Sequence, residues 1–191
     1  EDGYGNLWMT SQAGHLFAWN EVKDEFEYIS LGVEVKEIND ILQVDKNKLW
    51  LGTLKGMFEI ETSSFRKIKS VTKLDLDVNV SSIAFKDFEN AYVASWQEGV
   101  YRVIKSKSGY IFKKIEKTNF TELNHIYLSR NNDLWINSNQ GLHLLQELPF
   151  QYNRVNQDER NIYVQAITSD VDGKVYVADQ RRLWWLAFSI C

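Results

Sequence analysis

One feature constrains this 191-residue chain more than any other: an apolar–aromatic–apolar triplet that recurs five times. The copies are Leu7-Trp8-Met9, Leu49-Trp50-Leu51, Ala91-Tyr92-Val93, Leu134-Trp135-Ile136 and Val175-Tyr176-Val177. Their aromatic residues stand 42, 42, 43 and 41 positions apart. A fixed period of this length marks a repeat architecture, in which each unit buries its apolar face against the next.

The flanks repeat too. Ile41, Ile83, Ile126 and Ile167 precede the aromatic by about nine residues, with turn-forming clusters between, such as Asp45-Lys46-Asn47-Lys48 and Arg130-Asn131-Asn132-Asp133. After the triplet comes Gly14, Gly56, Gly99 or Gly141, with Arg182 at that place in the fifth copy. A second apolar run follows, for example Met57-Phe58 or Val100-Tyr101, and then an alternating stretch such as Phe26-Glu27-Tyr28, Phe65-Arg66-Lys67-Ile68 or Tyr152-Asn153-Arg154-Val155. One period thus holds four short strands, here A to D, with the isoleucine on A and the aromatic on B. Runs of four to seven residues bounded by turns exclude helical solenoids, whose apolar positions recur at i, i+3, i+4 and i+7. Four strands in about 42 residues is the length of one propeller blade. The Gly between B and C suits a tight hairpin, because it adopts positive φ without steric cost. The expected fold is all-β, a β-propeller of four-stranded blades.

Composition narrows the function. With 22 basic and 26 acidic side chains the net charge is -4, which argues against a nucleic-acid binder. No run approaches the roughly 20 apolar residues that cross a bilayer, so no membrane contact by these residues is expected. The single cysteine, Cys191, excludes disulfide scaffolds and Cys-rich zinc sites. Aromatic residues reach 14% beside a single proline, as expected of large side chains packed between sheets.

The second copy reads Leu49-Trp50-Leu51-Gly52-Thr53-Leu54-Lys55-Gly56-Met57-Phe58-Glu59-Ile60. It resembles the two-component regulator propeller repeat, whose pattern is apolar-Trp-apolar-Gly-Thr-x-x-Gly-apolar. The fourth copy substitutes Asn137-Ser138 for Gly-Thr, and the third has Tyr92 for Trp and one extra residue. The resemblance implies the extracytoplasmic, periplasmic sensor region of a membrane-spanning hybrid histidine kinase, with oligosaccharides as the implied ligands. The streptogramin-lyase-like propellers share a related strand-B motif. A lyase-like enzyme and a protein-interaction scaffold are therefore the alternative readings. No ATP-binding or phospho-acceptor motif lies in these residues, so no enzymatic activity of this chain is expected.

The repeat divides the chain into blades at 1–33, 34–76, 77–119, 120–158 and 159–191, the first lacking strand A and the last lacking strand D. This reads as three complete and two partial blades, eighteen strands in all, of a larger propeller. The remaining blades of that parent are then its expected partners. The apolar stretch Leu183-Trp184-Trp185-Leu186-Ala187-Phe188 resembles a strand edge open to pairing, so self-association is expected.

Propellers bind ligands on one end face, through the D–A and B–C loops. The candidate ligand-binding residues on the B–C loops are Trp96, Gln97, Glu98, Asn139, Gln140, Gln180 and Arg181, with Gln12 and Lys55 nearby. Planar amides and charged groups suit hydroxyl groups, and an aromatic face suits a sugar ring. Trp96 is read as occupying the inserted position of the third copy. His15, His125 and His143 fall in different repeats and at different phases, so neither a catalytic constellation nor a metal site is expected, and no cofactor motif is present. Asp170-Val171-Asp172-Gly173 lacks calcium-loop spacing and reads as a turn.

Overall fold

A computed structural model describes residues 1–64, 66–116, 118–145, 164–170, 175–179 and 183–186. Among them lie 17 strands and no helix, arranged in five antiparallel sheets. The first sheet holds β1 (Trp8–Thr10), β2 (Leu16–Asn20) and β3 (Glu25–Ile29). The second holds β4 (Ile38–Asp45), β5 (Lys48–Thr53), β6 (Gly56–Ser63) and β7 (Lys67–Lys73), and the third β8 (Val80–Asp87), β9 (Asn90–Ser95), β10 (Gly99–Ser106) and β11 (Gly109–Lys114). The fourth contains β12 (Leu123–Leu128), β13 (Leu134–Ser138) and β14 (Gly141–Leu145), and the fifth β15 (Val164–Ser169), β16 (Val175–Asp179) and β17 (Leu183–Leu186). Every sheet is a meander, each strand pairing with its sequence neighbour. The strand expected at Tyr152–Val155 lies outside the described residues. In the second sheet strand D begins at Lys67, because Arg66 takes φ 59° in the turn before it, and Phe65 lies outside the described residues.

The A strands β4, β8, β12 and β15 neighbour one another from sheet to sheet. They form the inner row of a radial assembly, while β7 and β11 are the half-exposed outer edges. The core is divided accordingly into clusters that each join two consecutive sheets. Trp8, Leu16 and Ala18 pack on Ile38, Leu49, Leu51 and Phe58. Trp50 and Met57 pack on Val80, Ile83, Val93 and Val103. Tyr92 and Val100 pack on Leu123, Ile126, Leu134 and Ile136. The repeated aromatic is thus a wedge between blades. Trp50 is fully buried, with its ring edge-to-face against Tyr110 at 5.1 Å and Phe85 at 5.6 Å, both from the third sheet. Its Nε1–H donates to Glu59 Oε2 at 3.3 Å, an oxygen that also accepts the Tyr110 hydroxyl at 2.6 Å. Lys48 Nζ, 2.6 Å from Glu59 Oε1, balances the charge.

The B–C glycines have a second reason to be glycine. Besides positive φ, a Cβ on Gly14, Gly56 or Gly99 would lie 2.0, 2.1 or 2.6 Å from the carbonyl oxygen of Val35, Leu76 or Thr118. Those carbonyls belong to the D–A connections, which cross directly over the B–C turns at one end of the assembly.

All four inner strands also slip register near their starts, between Ile38 and Asp40, Val80 and Ser82, Leu123 and His125, and Val164 and Ala166. Each is a β-bulge, which bends its strand and re-aims the residue that follows. The extra residues are Asn39, Ser81, Asn124 and Gln165.

Candidate functional site

The B–C turns and D–A connections share one end of the molecule. Leu54 N–H donates to Glu37 O at 3.0 Å and Trp96 N–H to Asn79 O at 2.8 Å, so these two residues are equivalent. Trp96 is therefore not the inserted residue. The third copy's extra residue falls between Ser95 and Gly99 after Trp96, in a turn one residue longer than those of the second and fourth sheets. The Trp96 carbonyl accepts Leu123 N–H at 3.1 Å, so its backbone ties β8's entry to the next inner strand. Its side chain is half-buried, while Gln97, Glu98, Asn139 and Gln140 are exposed. Glu98 Oε2 accepts the Tyr101 hydroxyl at 3.1 Å; burial first, and then this carboxylate, push the Tyr101 pKa up to about 12. Asn139 Oδ1 accepts from Thr121 Oγ1 at 3.4 Å, a contact between a B–C turn and a D–A connection. Leu123 pairs with Ser138 just before that turn, which brings Trp96 and Asn139 to one end of neighbouring blades. Gln180 and Arg181 lie outside the described residues.

The inner strands add a feature that the loop reading misses. Ser82 is fully buried, and its Oγ lies 3.2 Å from Asp40 Oδ2 and 3.0 Å from His125 Nδ1. Three successive blades thus meet in one hydrogen-bonded chain. Ile83 N–H donates to Asp40 Oδ2 at 2.7 Å, Ile41 N–H to Asp40 Oδ1 at 2.8 Å, and Ile126 N–H to Ser82 Oγ at 3.3 Å. A hydroxyl has one proton, and an ionised carboxylate only accepts. Ser82 therefore donates to Asp40, and His125 donates Nδ1–H to Ser82. Burial raises the Asp40 pKa against the opposing hydrogen bonds, and burial lowers that of His125 against the attraction of Asp40. Burial thus disfavours the charged imidazole.

The trio has the composition of a hydrolase triad but the wrong order. Ser82 stands between the acid and the histidine, is buried, and spends its proton on Asp40, so it is no nucleophile. What the sequence reading missed is that His125 joins a hydrogen-bonded chain with residues of two other blades. Its phase is that of Asp40 and Ser82: each stands one residue before the repeat isoleucine, Ile41, Ile83 or Ile126. That constant offset was the available signal. The other two histidines differ. His143 stacks on Phe120 at 4.0 Å between ring centres and contacts Ser138 Oγ at 3.1 Å, and His15 lies edge-on to Phe17 and Tyr28. Among the described residues, no group of three metal-ligating side chains converges.

Radial meanders of three or four described strands, inner strands in contact and aromatic wedges between sheets define a β-propeller. No protein-family model and no curated protein sequence matches the chain. Solved structures do. The chain superposes on the extracellular domain of a hybrid two-component system from B. thetaiotaomicron with TM-score 0.67 and 20% identity, covering 92% of this chain and 25% of that one. A second such extracellular domain from the same organism gives TM-score 0.73 at 13% identity, over 97% of this chain and 26% of that one. Virginiamycin B lyase from Staphylococcus aureus, solved with quinupristin, gives TM-score 0.73 at 14% identity, over 97% of this chain and 64% of that one. The chain spans about a quarter of the two sensor domains. At these identities the likeness is one of fold.

Proposed function

We propose that this chain is a ligand-recognising portion of the extracytoplasmic propeller of a two-component sensor histidine kinase, and that it binds oligosaccharides at the end bearing the B–C turns. Ligand binding shifts an equilibrium between two arrangements of the receptor, and the signal passes to segments outside this chain. The observation that carries the reading is the polar row at the bulged starts of the inner strands, Asn39, Asp40, Ser81, Ser82, Asn124 and His125, beside the half-buried Trp96. Part of that row bonds from blade to blade, Asn39 Nδ2 donating to Val80 O at 2.8 Å and Ser82 Oγ to Asp40 Oδ2 at 3.2 Å. The Trp-Leu-Gly-Thr motif and the fold shared with two sensor domains agree with it. Calorimetric titration with plant and host oligosaccharides tests it: saturable heat for one glycan class is expected, and silence across both sets removes the carbohydrate assignment.

The Asp40, Ser82, His125 chain also gives a specific footing to a lyase-like reading. Incubation with quinupristin, followed by chromatography, decides that reading. The sensor proposal expects intact quinupristin, and its steady loss would replace sensing with catalysis.

A further inference from the structure

We infer that His125 is the hydrogen-bond acceptor by which the inner wall grips a ligand hydroxyl, and that the ligand is a neutral oligosaccharide rather than an anionic one. This rests on the proposed ligand-binding reading. The Nδ1 side of His125 is committed to Ser82 Oγ at 3.0 Å, and Ser82 in turn to Asp40 at 3.2 Å. With the proton on Nδ1, the Nε2 lone pair is bare, and among the described residues nothing donates to it. The residue is half-buried on the innermost strand of its blade, directly after the bulge at Asn124. An imidazole locked in one tautomer by a buried partner presents its free nitrogen in a defined direction.

The surrounding chemistry selects the ligand class. The starts of the described inner strands carry amides, hydroxyls, one carboxylate and this imidazole, and no cation. Asp40 on β4 is the charged group of the chain. β8 offers Ser82, and its Lys86 is held at the strand's other end by Arg130 O and Asn132 Oδ1. β9, β13 and β15 carry no charged residue among Asn90–Ser95, Leu134–Ser138 and Val164–Ser169, and Glu122 precedes β12. At the inner wall a uronic acid would meet Asp40 with no cation at the starts of β4, β8 or β12, since Lys36 and Lys55 of this end stand on the D–A connection and the B–C turn of the second sheet. A neutral sugar hydroxyl donates to Nε2 without penalty. Protonation of His125 removes the acceptor, so affinity falls as pH drops through its titration.

The test uses the full chain. Calorimetry with cellohexaose, xylohexaose, maltohexaose and hexagalacturonate is expected to give binding to a neutral sugar and none to the galacturonate. His125→Leu should weaken that binding roughly tenfold, the loss of one well-placed hydrogen bond. Histidine-labelled NMR, with His125 assigned from the His125→Gln spectrum, should show the Nδ1–H tautomer at neutral pH. An Nε2–H tautomer overturns the inference by itself, whatever binds. Undiminished neutral-sugar affinity in a folded His125→Leu protein, or preference for the galacturonate, overturns it and leaves the sensing proposal standing. Silence with all four sugars removes the ligand reading and this inference together, even where the tautomer is as expected.

Discussion

Ser82 Oγ lies 3.0 Å from His125 Nδ1, although the two residues are 43 positions apart and on different blades. Ser82→Ala leaves Nδ1–H of His125 and the Ile126 amide without their acceptor and removes one donor from Asp40. Unsatisfied buried groups cost about 1–3 kcal/mol, so unfolding at neutral pH should lose about that much. Urea denaturation checks it. The His125 pKa is held below its ordinary value, chiefly by burial and against the pull of Asp40. Its contribution to stability is therefore present above the unfolded-state pKa and lost as pH falls toward the depressed folded value. In a His125→Gln protein the stability difference across that window should flatten.

Trp50 and Trp96 should respond oppositely to truncation. Trp50 is fully buried between blades, and Trp50→Ala should cost about 3–5 kcal/mol. Trp96 acts structurally through its backbone, which Ala retains, so Trp96→Ala should change thermal stability little while weakening glycan binding. Calorimetric melting and sugar titration of both variants separate the roles. Equal destabilisation would make Trp96 a packing residue.

Gly56→Ala should destabilise far more than Gly32→Ala, although both glycines have positive φ, 100° and 68°. At Gly56 the new methyl lies 2.1 Å from Leu76 O, and at Gly32 nothing lies within 4 Å. Left-handed backbone alone costs about 1–2 kcal/mol, which should be the whole effect at position 32. Denaturant midpoints of the two variants measure the difference.

Asp2 is buried and accepts Trp8 Nε1–H at 2.9 Å and Thr62 Oγ–H at 3.2 Å, which ties the first sheet to the second. Burial alone would raise its pKa, but hydrogen bonds from Asn6, Trp8 and the Asn6 and Tyr4 amides together hold it below the ordinary carboxylate value. Its stabilisation is present above the unfolded-state pKa and is lost as pH falls through the lowered folded value. Asp2→Asn should therefore cost about 1.5–3 kcal/mol at pH 7 and much less in acid. Parallel urea titrations at the two pH values show whether the gap closes.

The outer face of the first sheet exposes Leu7, Met9 and Tyr28, with His15 and Phe17 between them. In the second sheet Leu49, Leu51 and Phe58, which correspond to Leu7, Met9 and Phe17, are covered by the neighbouring blade. We propose that this face mediates self-association of the isolated chain, as apolar patches do. Sedimentation should show concentration-dependent dimers that a Met9→Lys, Tyr28→Glu double variant abolishes. Wild-type monomers throughout would exclude it.

The repeating meander, the strand order within it and the wedge role of Trp8, Trp50 and Tyr92 were all legible in the residues. Each depends on spacing and on one large apolar side chain, and a period in sequence becomes a period in space whenever identical units stack. The second reason for Gly14, Gly56 and Gly99 was not legible, because the carbonyl that crosses each glycine comes from about twenty residues further on. Nor was the linkage of Asp40, Ser82 and His125. Their shared offset from the repeat isoleucine is visible in the chain, but three unlike side chains do not announce a common partner. The bulge at each inner strand swings them toward one another, and only the closure of blade upon blade brings a carboxylate, a hydroxyl and an imidazole within hydrogen-bond reach. Local patterning decides which units form. Distances between side chains on different units depend on how those units pack, and that is a property of the assembled molecule.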